Sequence, residues 1–423
     1  MLKSVVDKGK NGAEMGSKKL TIQESIVWNS VGSLVYLATQ WLTTILVVRL
    51  AGVDAAGNLT LAMSIGNLVY SIALFGMRNF QVSDISEEYR NGIYIASRLL
   101  TCVFSVVSGI GYILIMSYTA EQRWCIGFYC IFKASEALYD VYAGVSQKEW
   151  RMDYIGKSWV LKGICTFIVF CGVLYATQNI VLAVLAMALI SFSVILFYDV
   201  PNNRKISDID IIWESVEILR LLRKCLPLLI YSLLTTAIAT VPRLVLEKVS
   251  GSYALGIYGS VAAPAMIVQM GASYIYSPFI TLFAERYHIK DKKGFWHAFR
   301  NCFLGIAALS VCALIGGKVF GYWGLLLLYG KEIASYEYLL LPLIGATILT
   351  AILWLFCGIL TAVREFKGLI IGNVAAVLFS VLGSIILIPK VGMQGATAAL
   401  CIALIVSCFI LFCYLCKSWK END

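Results

Sequence analysis

The chain has 423 residues, of which 60% are hydrophobic and only 14% are charged, and its mean hydropathy is +0.81. Soluble domains carry about 25% charged residues, so this composition excludes a soluble protein and indicates one that crosses a membrane many times. The 13 cysteines lie mostly in apolar runs, which argues against a disulfide framework. The only histidines are His288 and His297, which argues against a histidine metal site, and no cofactor is expected.

Twelve segments are long and apolar enough to cross a bilayer, because a membrane helix needs about 20 mostly apolar residues. In chain order they are 26–50, 57–77, 95–118, 122–146, 158–177, 179–199, 225–248, 254–283, 298–318, 335–362, 367–388 and 393–416. Residues 1–25 and 417–423 are predicted to be cytoplasmic tails, without a cleavable signal peptide, and 319–332 a short interfacial helix. The predicted fold is an all-α polytopic membrane protein.

Lysine and arginine are unevenly divided between the two sides of the predicted spans. One side has both tails and most of the basic residues, Arg98 among them, whereas the connections of the other side contain Arg123, Lys248, Lys318, Lys331 and Lys390. Since cytoplasmic loops are enriched in basic residues, both termini are predicted to be cytoplasmic. This bias accounts for much of the net charge of +9, so no nucleic-acid partner is expected.

A polar connection at 201–224 divides the spans into two lobes of six, 26–200 and 225–416. From Asp208 to Arg223 it is amphipathic, with one predicted apolar face made of Ile211, Ile212, Val216, Leu219 and Leu222. This pattern predicts a helix that lies on the inner membrane surface and links the lobes.

Short sequence echoes suggest that the two lobes are repeats. "VVRLAGVDAAGNLTLA" joins the first two spans and "VPRLVLEKVSGSYALGIYGSVA" joins the seventh and eighth. Each has an arginine (Arg49, Arg243) before a turn and a glycine (Gly57, Gly256) at the start of the next helix. Six spans in each repeat predict pseudo-symmetric parallel lobes, related by an axis along the membrane normal, with a substrate site between them.

Polar side chains follow one face of several spans, where lipid contact would require apolar ones. The first span presents Asn29, Ser33, Tyr36, Gln40 and Thr43; the seventh presents Ser232, Thr236, Thr240, Arg243 and Glu247; the eighth presents Gln269, Ser273 and Ser277. These stripes either line a central cavity or join helices through hydrogen bonds.

The fourth span places three ionisable residues, Lys133, Glu136 and Asp140, on one face. A charge at the centre of a bilayer costs at least about 2.5–3.5 kcal/mol, so a ligand or an ion-pair partner is expected to compensate each of the three. In one interpretation Lys133 binds an anionic group and Glu136 or Asp140 binds a coupling ion, with Glu247 as a further candidate. In the other interpretation Lys133 and Glu136 form a structural ion pair.

The sequence contains none of the common catalytic or nucleotide-binding motifs. There is no G-x-x-x-x-G-K-[ST] loop, no H-E-x-x-H, no G-x-S-x-G and no Rossmann fingerprint. The connections are too short for the extramembrane domain that a membrane glycan polymerase or acyltransferase commonly has. We therefore expect a transporter and not an enzyme.

Several segments together resemble the bacterial oligosaccharide-lipid flippases, the Wzx-type polysaccharide biosynthesis proteins of the MOP superfamily. They are "VVRLAGVDAAGNLTLAMSI", "FGMRNFQVSD", "QKEWRMDYIGKSWVLKGI", "LEKVSGSYALGIYGSVA", "LYGKE" and "VGMQGATAAL". Each segment is short and degenerate, so the resemblance depends on the order and spacing of the segments over nearly the whole chain.

The resemblance implies a MATE-like pair of lobes that works by alternating access in the bacterial inner membrane. It implies a polyprenyl-diphosphate-linked glycan as substrate, and a cationic cavity that would include Arg49, Lys133 and Arg243. Implied partners are membrane lipids, a polysaccharide polymerase and glycosyltransferases, with H⁺, Na⁺ or the membrane potential as driving force. The alternatives are a MATE-like exporter of cationic drugs, which predicts an acidic cavity, and a glycan polymerase.

Overall fold

A computed structural model describes residues 22–84 and 88–422, and these residues form helices joined by short turns. The α-helices are α1 (Ile22–Leu74), α2 (Met77–Ser83), α3 (Asn91–Ile115), α4 (Ala120–Lys148), α5 (Met152–Thr177), α6 (Ile180–Val194), α7 (Val200–Arg204), α8 (Ser215–His288), α9 (Lys292–Tyr329), α10 (Lys331–Ala334), α11 (Leu340–Ala362), α12 (Phe366–Val391) and α13 (Met393–Asn422). A π-helix, Ile195–Asp199, joins α6 to α7, and a 3-10 turn, Glu337–Leu339, precedes α11. Most of the predicted tail 1–25, and the last residue of the tail 417–423, lie outside the described residues.

Two helices, α1 and α8, are hairpins that reverse direction at a glycine. Gly52 has φ 87° and ψ 178°, and Gly251 has φ 79° and ψ 178°, a conformation open to glycine because it has no Cβ. Both arms of α1 return to the same end of the bundle, where Trp28 contacts Gly156 and Arg78 bonds Gln147. We call this the linker end, and the opposite end the Gly52 end.

The described chain has nine helices that are long and apolar enough to cross a membrane. Two of them, α1 and α8, contribute two arms each, and α4 is a further helix of 29 residues whose charges lower its hydropathy. The twelve membrane-length helices and the two six-helix lobes predicted from the sequence are confirmed. The first lobe runs from α1 to α7 and the second from α8 to α13.

The two hairpins face each other with pseudo-twofold symmetry. Gly52 and Gly251 are 199 residues apart, as are Gly57 and Gly256. A Cβ on Gly57 would lie 1.9 Å from the Ser252 carbonyl oxygen, and a Cβ on Gly256 would lie 2.2 Å from the Val53 carbonyl oxygen. The contact is therefore reciprocal, as expected where equivalent surfaces meet across a twofold axis.

This register corrects one detail of the predicted repeat. With Gly52 equivalent to Gly251, Arg243 aligns with Thr44 and not with Arg49. The pairing of Arg49 with Arg243 is therefore wrong, because Arg49 lies three residues before its turn glycine and Arg243 lies eight residues before its own. The glycines keep the same register, in which Arg49 aligns with Lys248.

Apolar packing joins the lobes at the Gly52 end. One hydrophobic core contains residues from both lobes, such as Val53 and Leu59 with Leu255 and Tyr258. A second core, around Phe283 and the neighbouring helices, lies within the second lobe alone. The lobes are thus closed against each other at the Gly52 end.

The segment 201–224 differs from its prediction. No helix forms at 208–214, and α8 begins at Ser215 and continues without a break into the seventh span. The face it buries contains Ile218 and Leu221, which pack with the first lobe's core near the linker end. Val216 and Leu219, on the predicted apolar face, are 71% and 57% exposed. Packing against the first lobe selects a different face from the one that the pattern suggested.

The segment 319–332 also differs, because α9 runs through it to Tyr329 and only the four-residue α10 follows. Continuing α9 lets its backbone groups pair within one helix, which an apolar surrounding requires.

Replacing Gly57 by Ala is expected to open the Gly52 end. The new methyl group would overlap the Ser252 carbonyl, and overpacking of this kind costs about 1–3 kcal/mol. Cys125 is buried beside Asn58 at this end, so its alkylation by a hydrophilic maleimide should rise, as followed by peptide mass spectrometry. Gly111→Ala is the matched control, because a Cβ there meets open space. Equal alkylation in both variants would contradict the closed contact.

Candidate functional site

Polar contacts cross between the lobes along α1 and α8. The Ser71 and Thr236 hydroxyls are 2.9 Å apart, at a distance of ~22 Å from the Gly251 turn by helical rise. Nearer the turn, the Ser252 hydroxyl donates to Asn58 Oδ1 over 3.0 Å. The predicted polar stripe of the seventh span therefore faces the other lobe at Thr236.

Gln122 of α4 extends this interlobe network. Its amide nitrogen donates to Glu247 Oε1 over 2.8 Å and to Ser252 Oγ over 3.0 Å. Glu247, a predicted coupling residue, thus has a partner in the first lobe at the Gly52 end.

Arg243 lines a small cavity between the lobes. The cavity has a volume of about 50 Å³ and is lined by side chains of both hairpins: Thr44, Thr60, Met63, Ser260, Ala263 and Met266. Arg243 lies ~12 Å from the Gly251 turn and is half-buried. Among the described residues its guanidinium has neither an ion pair nor a hydrogen bond, and the cavity lining contains no acid. The arrangement leaves all five N–H donors of an always-charged group available to an anion.

Arg49 has a different environment. Its guanidinium donates to the carbonyl oxygens of Leu326 (3.3 Å), Leu327 (2.6 Å) and Leu328 (2.9 Å), at the C-terminal end of α9. These last carbonyls have no intrahelical partner, and a cation there is favoured by the helix dipole. The prediction that Arg49 lines a substrate cavity is not supported, because its donors bind the second lobe and hold the Gly52 end closed.

Lys133 and Glu136 form an ion pair with an Nζ–Oε2 distance of 2.6 Å. The Tyr36 hydroxyl of α1 donates to the other oxygen of Glu136. Lys133 Nζ also lies 5.1 Å from the Tyr70 ring centre and 5.7 Å from that of Tyr129, within the range of cation–π attraction. The Lys133 side chain is 14% exposed. The structure thus joins three predicted site residues, Lys133, Glu136 and Tyr36.

Asp140 belongs to a second cluster. Its two oxygens accept from Arg78 (2.9 Å) and Arg98 (3.0 Å). Arg98 also donates to the Ala73 carbonyl over 2.6 Å and is fully buried within α3, so its prediction as a loop cation is wrong. Arg78 and Asp140 line a cavity of about 220 Å³ near the linker end. The predicted line of three charges on α4 is therefore divided between two separate clusters.

The remaining predicted cavity residues make no side-chain hydrogen bond to described residues. Thr240 is buried, whereas Asn29, Gln40 and Gln269 are half-buried. Their role stays a prediction.

Two buried ionisable residues, Lys162 and Asp199, were not predicted as site residues. Lys162 is fully buried in α5, and Asp199 is buried in the π-helix. The signal that identified Lys133, a charge inside an apolar span, is present at both positions.

The buried charged side chains are distributed asymmetrically. Within residues 22–84 and 88–422 they are Arg98, Glu136, Asp140, Asp153, Lys162 and Asp199, all in the first lobe. The buried polar side chains of the second lobe, such as Asn373 and Ser380, are neutral. The two lobes share a backbone architecture but differ in the charge of their interiors.

Comparison with known proteins agrees with this architecture. No family model matches the chain. It is 24% identical over 387 residues to the capsular polysaccharide biosynthesis protein CapF of Staphylococcus aureus, an alignment that covers 89% of this chain and 95% of that protein.

Two solved structures share the fold. An inward-facing multidrug resistance MATE transporter of the MOP superfamily matches with a TM-score of 0.72 and 14% identity, over 94% of this chain and 98% of that one. The lipid II flippase MurJ in an inward closed conformation matches with a TM-score of 0.71 and 11% identity, over 94% and 90%. The predicted resemblance to polysaccharide biosynthesis proteins is confirmed by CapF, and the predicted fold is confirmed by these structural neighbours, which are transporters or flippases and not enzymes.

Proposed function

We propose that this chain, a multi-pass membrane protein with the fold of the MOP-superfamily transporters, is a flippase for a polyprenyl-diphosphate-linked oligosaccharide. It would move this lipid from the inner to the outer leaflet of a bacterial cytoplasmic membrane by alternating access. The product would serve the synthesis of a surface polysaccharide.

The observation that carries the proposal is the unpaired Arg243 guanidinium in a cavity between the lobes. Even a half-buried cation without a partner is costly, and an anionic ligand offsets that cost. A diphosphate offers several oxygens to a guanidinium, while hydroxyls such as Thr44, Thr60 and Ser260 can bind sugar or phosphate oxygens. Lys133, partly exposed on α4, is the second cation proposed to contact the substrate.

Closure at one end supports alternating access. The lobes meet at the Gly52 end through a shared core, the reciprocal glycine contact and Arg49. The cavity is too small for a glycan in this conformation, so the lobes would separate to admit the substrate. We propose that the linker end and both termini are cytoplasmic, so that the closed Gly52 end faces the outer side of the membrane.

The ion that drives transport is also a proposal. Glu136, Asp140 and Glu247 each have a partner: Glu136 with Lys133, Asp140 with two arginines, Glu247 with Gln122. The candidate driving forces are H⁺, Na⁺ and the membrane potential. A polysaccharide polymerase and glycosyltransferases are proposed as partners in the same biosynthetic pathway.

A MATE-like exporter of cationic molecules is the second candidate, because the similarity to the multidrug transporter is as high as that to MurJ. The lining of the Arg243 cavity argues against it. A cationic drug would meet a fixed positive charge there, and like charges in an apolar surrounding repel.

Expression of this chain in a bacterium that lacks its own oligosaccharide-lipid flippase tests the proposal. We expect surface display of the glycan to be restored and the lipid-linked precursor to leave the cytoplasmic leaflet. Loss of glycan display in the Arg49→Ala and Arg243→Met variants, expressed at the level of the unaltered chain, would attribute the activity to the interlobe site. Resistance to cationic dyes without restored glycan display would favour the exporter and contradict the flippase.

A further inference from the structure

The start of α8 and the segment before it expose large apolar side chains. Val216 and Leu219 are 71% and 57% exposed, and Trp213, in the non-helical segment before α8, is 62% exposed. Within a span such exposure is explained by the surrounding lipid, but these residues precede the seventh span. Exposed apolar side chains that lie close together mark a contact with a membrane or with a partner.

The level of these side chains relative to the bilayer follows from the length of the helix. Val216 lies 35 residues before the Gly251 turn, which is ~52 Å of helix. A bilayer with its head groups is about 40–45 Å thick, and a helix tilt of about 20–40° shortens the projection of this arm to ~40–49 Å. With the Gly251 turn at one membrane surface, Val216 lies at the level of the head groups on the other.

Two arginines share the exposed face of α8 with these apolar side chains. At about 100° per residue, one arc of ~120° contains Val216, Leu219, Arg220, Arg223, Leu226 and Ile230, all of them exposed. We call this face the α8 stripe. The opposite face contains Ile218, Leu221 and Cys225, which are buried in the core of the first lobe. The protein therefore holds the helix on one side and leaves the α8 stripe open.

The two arginines of the α8 stripe are available to a ligand. Among the described residues, neither guanidinium forms an ion pair or a hydrogen bond, whereas the neighbouring Lys224 pairs with Glu88. The nearest acid along the helix, Glu217, lies three residues before Arg220 and forms no ion pair with it. An arginine fork matches phosphate oxygens, and basic side chains at a membrane surface attract anionic lipids.

The direction of the side chains brings the arginines to the head groups. The Cα–Cβ bonds of a helix tilt toward its N-terminus, which for α8 is the linker end. Arg220 and Arg223 therefore extend outward from their positions nearer the span, as long basic side chains do at a membrane surface. Their guanidinium groups can thus reach the level of Val216 and Leu219.

We infer that the α8 stripe is a binding surface for anionic phospholipids of the leaflet at the linker end. Arg220 and Arg223 bind the phosphate oxygens of the head groups, and Val216 and Leu219 pack on the apolar part of the lipid. Two observations favour a lipid over a protein partner. The positive charge of the arginines complements an anionic head group, and Leu226 and Ile230 continue the same exposed face into the seventh span, where lipid contact requires apolar side chains.

Photoactivatable lipids test the α8 stripe in the full chain in lipid nanodiscs. Phosphatidylglycerol with a photoreactive group near its head group, present in trace amount, is compared with phosphatidylcholine that has the same group, and crosslinked peptides are located by mass spectrometry. We expect residues 211–226 to be labelled by both lipids with a ~10-fold or greater preference for phosphatidylglycerol, because each basic side chain at an anionic surface strengthens binding about fivefold. High salt should lower this preference in the unaltered chain, an arm that needs no variant.

The double variant Arg220→Gln/Arg223→Gln separates the charge from the apolar contact. The preference for phosphatidylglycerol should disappear, whereas labelling by phosphatidylcholine should persist because Val216 and Leu219 remain. Arg364→Gln/Lys367→Gln is the matched control, since it removes two exposed cations from the turn between α11 and α12, at the same end of the bundle. The control should keep the full preference.

Three results would overturn the inference. Equal labelling of the α8 stripe by the two lipids in the unaltered chain would reject recognition of the head group, and an equal loss in the control variant would reject a role specific to these arginines. Absence of labelling by either lipid would show that protein or water covers the stripe. The inference does not rest on the proposed function, so a lipid surface that behaves as expected in a chain without glycan display would reject the flippase alone.

Discussion

Replacing Arg243 by Met is expected to abolish glycan export while the protein stays folded. Truncating one partner of a buried charge pair costs about 2–5 kcal/mol, so substrate affinity should fall at least ~30-fold. Arg243 has no partner among the described residues, so its removal breaks no internal contact and also removes a half-buried unpaired charge. The thermal stability of the variant should therefore equal or exceed that of the unaltered chain.

This combination of lost export and retained stability distinguishes a binding role from a structural one. Export is measured in the flippase-deficient strain, and stability by thermal unfolding of purified protein. Lys248→Met is the matched control, because Lys248 is an exposed cation five residues further along the same arm of α8. Normal export by Arg243→Met would contradict an anion site in this cavity.

Replacing Arg98 by Met is expected to destabilise the first lobe by about 3–5 kcal/mol. Arg98 is fully buried, and its loss leaves Asp140 with Arg78 alone and the Ala73 carbonyl with the Thr101 hydroxyl alone as donor. Removing one partner from a buried ionic cluster has this cost because the remaining carboxylate loses the compensation of a fully buried cation. The measurement is equilibrium unfolding in mixed micelles, with the helical signal of circular dichroism as the probe.

Arg78→Met provides the comparison, since it removes the other partner of the same carboxylate. The Arg78 side chain is 30% exposed and that of Arg98 is 0% exposed, so solvent can replace the first contact but not the second. The expected cost for Arg78 is about 1 kcal/mol or less. Equal destabilisation by the two variants would show that burial does not decide the strength of these pairs.

Together these contacts indicate that the two lobes have different roles. The first lobe contains the buried ion pairs, and the second lobe provides Arg243 and an interior without buried charges among its described residues. In this proposal the substrate is held between the lobes, and the candidate coupling residues Glu136 and Asp140 lie within the first lobe. Arg49 connects the two functions, because it must leave the end of α9 before the Gly52 end can open.

The sequence by itself determined those features that depend on a single segment and not on the segments packed against it. The length of each apolar run is set by bilayer thickness, so the twelve spans could be counted directly. The charges on α4 were visible because each costs free energy in an apolar run regardless of what surrounds it. The repeat of Gly57 and Gly256 was also visible, because each follows the turn between two spans in a similar local sequence.

Tertiary structure decided which residues are partners. Arg49 binds the carbonyl of Leu327, 278 residues away, and neighbouring charges of α4 have separate partners in α1, α2 and α3. Periodicity reports which face of a helix is polar, but it does not report what packs against that face. For the same reason the sequence alone determined that this is a twelve-helix membrane protein, while only the packing of the two lobes distinguished the free cation, Arg243, from the engaged one, Arg49.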